Sequence, residues 1–459
     1  MSALVLLVVW AICEGGWAVV PALRPQRGQM RLHLFLFSLL VAGIYAGTVL
    51  GLIPDRFQYG NGVLRYASDS ITYQSQAATV AASLRDGSMA GLTDVQIFGY
   101  SKLLGLVFAI TGTNALAAML VNGAFYVATL ACVFLIGREL FGAQVGALAM
   151  ALASVWPGFV LHEAQTIRWV ETTLGLELTV LGSVLLIGPR GGVGAILAGF
   201  VGYTLLISDL PYMARIVGVF VTLFGLGLVA IAVRQGKLIR PAVLTFVLGV
   251  SMLTTFYIVY VYPSTVKATE ETSSMVGNRL GDTSDDSAGL LRRIVRAITR
   301  NVSVVITARG GFDRANREGQ VGTALPAERL DSAPELLWNL PRAMIMAAFA
   351  PFPGTLLSGA SGVSNLRHWV ILELLPYLLI VVGAAVAVIT ALRGLQGPVV
   401  RRQTIFIGLL VLIAYALLGT VVLNAGTLYR FRQPYVLLQI ILAVEGWRQI
   451  VARIRRTSN

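Results

Sequence analysis

The sequence predicts an all-α, polytopic integral membrane protein with about 11 transmembrane helices, and three observations carry that prediction. Hydrophobic residues fill 56% of the 459 positions and charged residues 12%, with a mean hydropathy of +0.77; water-soluble chains do not have this composition. The apolar residues lie in unbroken runs close to the roughly 20 residues that a helix needs to cross the hydrocarbon core, without the alternation of a membrane β-barrel. The charges also sort by side.

The runs are 3–21, 33–53, 115–136, 143–161, 170–188, 192–207, 216–233, 241–262, 369–391, 403–423 and 434–448. If the turn from Arg24 to Arg31 is cytoplasmic, so are Arg138, Arg190, Arg234 to Arg240, Arg393 to Arg402 and the tail after Arg448. These segments hold 15 of the 35 Lys and Arg but one of the 22 acids, Glu139. The positive-inside rule then puts the N-terminus outside and the C-terminus in the cytoplasm. The net charge of +13 is a feature of topology, and no nucleic-acid partner is expected. The first run has no Lys or Arg ahead of it and basic residues behind it, so it reads as a retained helix, not a signal peptide.

Two shorter apolar stretches, residues 100–112 and Arg342 to Ala350, fall short of a span and read as surface-lying or re-entrant segments. The whole chain, 1–459, is treated as a single membrane domain with a first outer loop at 54–102 and a large outer loop at 263–368. In the first loop Tyr73, Ala77, Val80, Ala81 and Leu84 recur at helical spacing, with Ser68 or Asp69 as the N-cap. The second contains a basic helix-like stretch, Leu290 to Arg300. Cys13 and Cys132 sit inside apolar runs and suggest no disulfide or thiolate metal site.

Polar residues gather at the outer ends of different spans: Asp69; His162, Glu163, Arg168 and Glu171; Asp209 and Arg215; Arg430 and Arg432. They suggest one outward-facing cavity. Plainer roles fit the same residues: Arg215 as a snorkelling anchor, Glu163 or Glu171 with Arg168 as a structural ion pair, and Asp69 as a helix cap.

Asp69-Ser70-Ile71-Thr72-Tyr73 followed by Ala77 resembles the Asp-Ser-x-x-Tyr-x-x-x-Ala motif in the first outer loop of the GT-C class of membrane glycosyltransferases. This class includes the protein O-mannosyltransferases, the lipid A aminoarabinose transferases and the bacterial glycosyltransferase family 39 proteins. Trp156-Pro157-Gly158-Phe159 through Arg168 and Glu171 is similar to the family's Pro-containing helix end before a basic-acidic pair. Arg430-Phe431-Arg432-Gln433-Pro434 is similar to its Arg-x-Arg-x-Pro stretch before a last hydrophobic helix. Asp69 is followed by Ser70 where the protein mannosyltransferases carry Asp-Glu, a departure that points away from a protein acceptor.

The resemblance implies a GT-C-like fold and a cell-membrane transferase acting in cell-envelope polysaccharide biosynthesis. Its partners would be a polyprenyl-phosphate-linked sugar donor, a glycan or glycolipid acceptor, and membrane lipid. Asp69 would be the catalytic base, taking the proton of the acceptor hydroxyl. Arg430 and Arg432, and more weakly Arg168, would hold the leaving phosphate through paired hydrogen bonds; Tyr73, Glu163 and Glu171 would line the substrate site. No cofactor is expected, since His33, His162 and His368 are scattered, although His162 and Glu163 with Asp69 are the residues to watch for a divalent metal. A lipid-linked polysaccharide polymerase and a transporter or flippase of lipid-linked sugars are the alternatives. A transporter would be expected to carry inverted repeats and polar breaks at the membrane midplane.

Overall fold

The computed structural model describes residues 2–65, 69–94, 97–209, 217–218, 220–227, 241–256, 333–350, 364–422 and 425–457. Ser68, Arg215, the Arg234 to Arg240 segment and the Leu290 to Arg300 stretch lie outside these residues. The chain is mostly helical. Among the described residues six helices are long and apolar enough to cross a membrane, or seven if one bent pair counts as a single span.

The helices follow the apolar runs. α1 (Ser2–Val19) and α2 (Arg27–Val49) are joined by a short 3-10 turn, and a small hairpin of β1 (Gln58–Gly60) and β2 (Val63–Leu64) follows. Next come α3 (Asp69–Arg85), α4 (Ala90–Thr93), α5 (Gly99–Thr111), α6 (Ala115–Phe141), α7 (Ala143–Ser154) and α8 (Pro157–Glu163). The remaining helices are α9 (Trp169–Ile187), α10 (Val193–Asp209), α11 (Pro241–Phe256), α12 (Ala333–Phe349), α13 (Ser364–Leu392), α14 (Pro398–Val421) and α15 (Ala425–Thr457).

Local chemistry sets several boundaries. Asn114 caps α6 by accepting the Ala117 N–H at 3.1 Å, and Gly142, with φ of 97°, ends it, a backbone conformation natural to glycine. Pro157 occupies the first turn of α8, where its missing N–H costs nothing. The run expected as one span over 143–161 is therefore two helices, α7 and α8, bent by 65°.

Two prolines behave differently from the sequence expectation. Pro341 lies inside α12 and Pro434 inside α15. The piece from Arg342 to Ala350 thus continues an earlier helix, and Arg430 and Arg432 ride on a helix instead of preceding one. In a long apolar helix the one backbone bond lost to proline can be made up by neighbouring groups. The stretch at 100–112 is a 13-residue helix, α5, packed on α3.

The chain divides into two compact units, one of Met1–Thr254, His368–Val411 and Gln433–Asn459, the other of Thr255–Arg367 and Leu412–Arg432. In the first, α6 and α9 are the most enclosed spans, and both pack against further helices. Glu14 of α1 accepts hydrogen bonds from Arg27 Nε at 2.8 Å and Arg31 Nη2 at 2.9 Å, closing the first hairpin. Arg190 donates to Glu139 at 2.7 Å, and Gln403 Nε2 to the Val184 carbonyl at 2.8 Å. The ends of α6 and α9 and the start of α14 therefore meet at one end of the bundle. All three segments were assigned to the same side by charge.

In the second unit the backbone of α14 lies on that of α12: a Cβ built at Gly419 would sit 1.8 Å from the Ala343 carbonyl oxygen. Arg432 Nη1 donates to the carbonyls of Ala348 and Ala350, at 2.8 and 2.9 Å. These groups at the end of α12 have no helical partner of their own.

Between α9 and α10 of the first unit the contact is made by glycines, as expected where helices pack without a hydrophobic driving force. A Cβ at Gly202 would lie 2.5 Å from the Thr179 nitrogen and 2.6 Å from the Gly175 oxygen, and one at Gly182 would lie 2.6 Å from the Gly199 nitrogen. Neither backbone can yield without the helices parting. Gly202→Leu is expected to destabilise the detergent-solubilised protein by about 1–3 kcal/mol or more, seen as a lowered thermal midpoint, whereas Leu197→Ala on the exposed face of α10 should leave it nearly unchanged.

Candidate functional site

The site is built around a break in the helices. Between the end of α7 and the start of α9, residues 155–168 contain one short helix and two turns, so several backbone groups have no helical partner. Where such groups are buried the protein must satisfy them, and side chains of α6 and α13 do so. Tyr126 on α6 donates to the Ser154 carbonyl at 2.9 Å. Glu373 on α13 accepts the Gly158 N–H at the start of α8, and Trp156 Nε1 donates to Gln433 on α15 at 3.0 Å. Asn122, deep in α6, donates to the Glu163 carbonyl at 2.9 Å and the Gln165 carbonyl at 2.7 Å, and accepts from the Tyr100 hydroxyl at 2.9 Å. Both of its N–H donors and its oxygen are thus engaged.

The same segment is tied to the first outer loop. Gln165, fully buried, accepts the Leu64 N–H of β2 at 3.0 Å. Thr166 accepts from Gln74 of α3 at 2.6 Å. The Arg168 guanidinium carbon lies 4.2 Å from the Phe98 ring centroid and 5.9 Å from that of Tyr73, within the range of a cation over an aromatic face. Tyr73 is itself held edge-on by Phe98 and Tyr100.

Asp69 opens α3 and is half-buried, one turn before buried Tyr73. The helical spacing read from the sequence is confirmed: Tyr73, Ala77, Val80 and Ala81 are buried, and Leu84 is half-buried. Of the expected site residues, Tyr73 and Arg168 meet directly. Glu163 and Glu171 flank Arg168 on the same clamped segment, both buried, and Glu171, like Asp69, occupies the first turn of its helix, where the helix dipole favours a negative charge. His162 Nδ1 contacts the Gly158 carbonyl within α8.

Arg430 and Arg432 belong to the second unit. There Arg430 lies 3.5 Å from the Thr427 hydroxyl, and Arg432, 4% exposed, holds the end of α12 and lies over the Tyr429 ring at 5.0 Å. Arg432 therefore has a structural task that its place in a short motif did not reveal. Among the described residues no three His, Cys, Asp or Glu side chains gather as a metal site.

Sequence reasoning missed Asn122, Gln165, Glu373 and Gln433. A signal existed: each is a polar residue within or at the edge of an apolar run, where such a group needs a partner. Asn122→Ala leaves two carbonyls and a tyrosine hydroxyl without their buried partner, and is expected to cost about 1–3 kcal/mol or more in thermal melting. Asn122→Asp, which keeps the acceptor for Tyr100 but loses both donors, should cost a similar amount; an unchanged melting midpoint in both variants would disprove the clamp. Comparison of the chain with protein-family models and with curated proteins gives no match.

Proposed function

We propose that the protein is an integral membrane glycosyltransferase that moves a sugar from a polyprenyl-phosphate donor to a cell-envelope glycan or glycolipid on the outer face of the membrane. The observation that carries this reading is the joining, within one unit, of the helix opened by Asp69 to the segment bearing Glu163, Arg168 and Glu171. The sequence motifs that resemble the GT-C class lie far apart in the chain, and two of them are here bonded side by side through Gln74, Thr166, Tyr73 and Arg168.

In the proposed reaction the Asp69 carboxylate takes the acceptor hydroxyl proton as the acceptor oxygen attacks the anomeric carbon. The bond from that carbon to phosphate breaks, the configuration inverts, and the polyprenyl phosphate leaves with the bonding electrons. Arg168 lies over the ring of Tyr73, one turn after Asp69 on the same helix, and its charge suits a departing phosphate. The proposal assigns no metal or other cofactor.

Asp69→Asn keeps the size and the helix-capping ability of the side chain while removing the base. Transfer of labelled sugar from a polyprenyl-phosphate donor by the purified variant is expected to fall by roughly 10²–10⁴-fold. Full activity would remove Asp69 as the base. A wild-type protein that moves the lipid-linked sugar between leaflets without cleaving it would replace the transferase with a transporter.

Eleven membrane helices, with the N-terminus outside and the C-terminus in the cytoplasm, complete the proposed arrangement. Cys13 and Cys132 are buried, so introduced cysteines report cleanly. Ser2→Cys should react with a membrane-impermeant maleimide in intact cells, and Thr457→Cys only after the membrane is permeabilised. The opposite pattern would invert the topology and put Asp69 on the cytoplasmic side.

A further inference from the structure

Within the first unit, α7, α13 and α15 enclose a cleft of about 1020 Å³, at the upper end of the roughly 300–1,000 Å³ typical of pockets that take whole small-molecule ligands. Its floor is Ile440, Ala443 and Val444 of α15, all buried. Its sides are Leu148 and Leu152 of α7, Leu379 of α13 and Val451 of α15, which are 43–52% exposed. On α15 the lining runs from Ile440 to Arg455, about 22 Å at 1.5 Å per residue. The cleft therefore has the length and the apolar walls of a site for extended hydrocarbon chains.

Its two ends differ in charge. One is formed by Arg448 and Arg455 with Gln144. Arg448 is bound through Nε and Nη2 to Glu445 at 2.7 and 3.0 Å, while Arg455 is exposed and makes no ion pair or hydrogen bond among the described residues. The other end is formed by Trp156, Pro157 and Glu373 and offers no cation to an anionic group. An amphiphile in this cleft must then lie with its negative head on the arginines and its tails toward Glu373.

We infer that the cleft binds an anionic diacyl phospholipid of the cytoplasmic leaflet, with the phosphate on Arg455 and Arg448. The arginine end belongs to the basic tail that the charge distribution assigns to the cytoplasm, where anionic lipids lie and basic pockets between membrane helices collect their head groups. This site does not depend on the transferase reading. Its lipid enters from the leaflet opposite the proposed reaction and is not consumed.

The test is native mass spectrometry of the full-length purified protein in detergent, with added phosphatidylglycerol or phosphatidylcholine of the same acyl chains. Wild type is expected to retain phosphatidylglycerol preferentially. Arg455→Ala should lower that retention about fivefold, the effect of removing about one basic contact to an anionic lipid, with phosphatidylcholine unaffected and Arg455→Lys restoring most of it. Leu148→Trp, which fills the groove away from the charges, should lower retention of both lipids. Each variant is first required to elute as a single species with the wild-type melting midpoint, a condition that the exposed position of both residues favours. Equal retention of the two lipids by wild type, no retention at all, or an Arg455→Ala variant indistinguishable from wild type would each overturn the inference. So would stronger retention of a polyprenyl phosphate, added in a parallel sample, than of phosphatidylglycerol.

Discussion

A helix interrupted inside a packed bundle must find partners for the backbone groups that the interruption releases, and the first unit is organised around that demand. A buried amide or carbonyl left unpaired costs about 1–3 kcal/mol or more. The break at residues 155–168 is tolerated because Tyr126, Asn122 and Glu373 bond its backbone groups, while Trp156 is held by Gln433. The α6 side chains lie 28 to 43 residues from their partners in sequence, whereas Glu373 and Gln433 lie 215 and 277 residues from theirs. The break in turn carries Glu163 and Arg168 and leads into Glu171 in the first turn of α9, so what satisfies the backbone also fixes the polar side chains.

The gross pattern was readable because hydropathy is a one-dimensional signal. Runs of 20 apolar residues became helices, and the 3.6-residue spacing of Tyr73, Ala77, Val80 and Ala81 correctly gave the buried face of α3. Proline was less informative. Pro157 marks a helix start, whereas Pro341 and Pro434 lie inside helices, and a residue that removes one N–H does the same chemistry in all three places. What differs is whether neighbours make up the lost bond, which is a fact of packing. The bend after α7 was hidden for the same reason.

The candidate site shows a similar division. That Asp69 and Arg168 lie near helix starts followed from sequence, but the clamp between their segments did not, because Gln74, Thr166 and Gln165 carry no motif and join the two segments through pairings 92 to 101 residues apart. Arg432 shows the converse. Its neighbourhood resembles a phosphate-binding stretch, yet two of its hydrogen bonds go to the end of α12. A guanidinium has five N–H donors, so a structural role does not by itself exhaust it, but the carbonyls fix its direction.

The lipid cleft and the broken segment share a wall. Trp156 and Glu373 line the inner end of the cleft and are also two of the groups that hold the break. α13 and α15 reach that wall as one piece, since a Cβ at Gly446 would lie 1.9 Å from the Gly383 oxygen, and Trp447 donates to the Leu379 carbonyl at 2.9 Å. Hydrocarbon tails seated against Trp156 would therefore press on the residues that set the position of Glu163 and Arg168. If their fit differs between two arrangements of the segment, lipid and substrate affinities are coupled by the same factor in both directions. The physical route for such coupling is short: one indole, one carboxylate and the Gly158 amide.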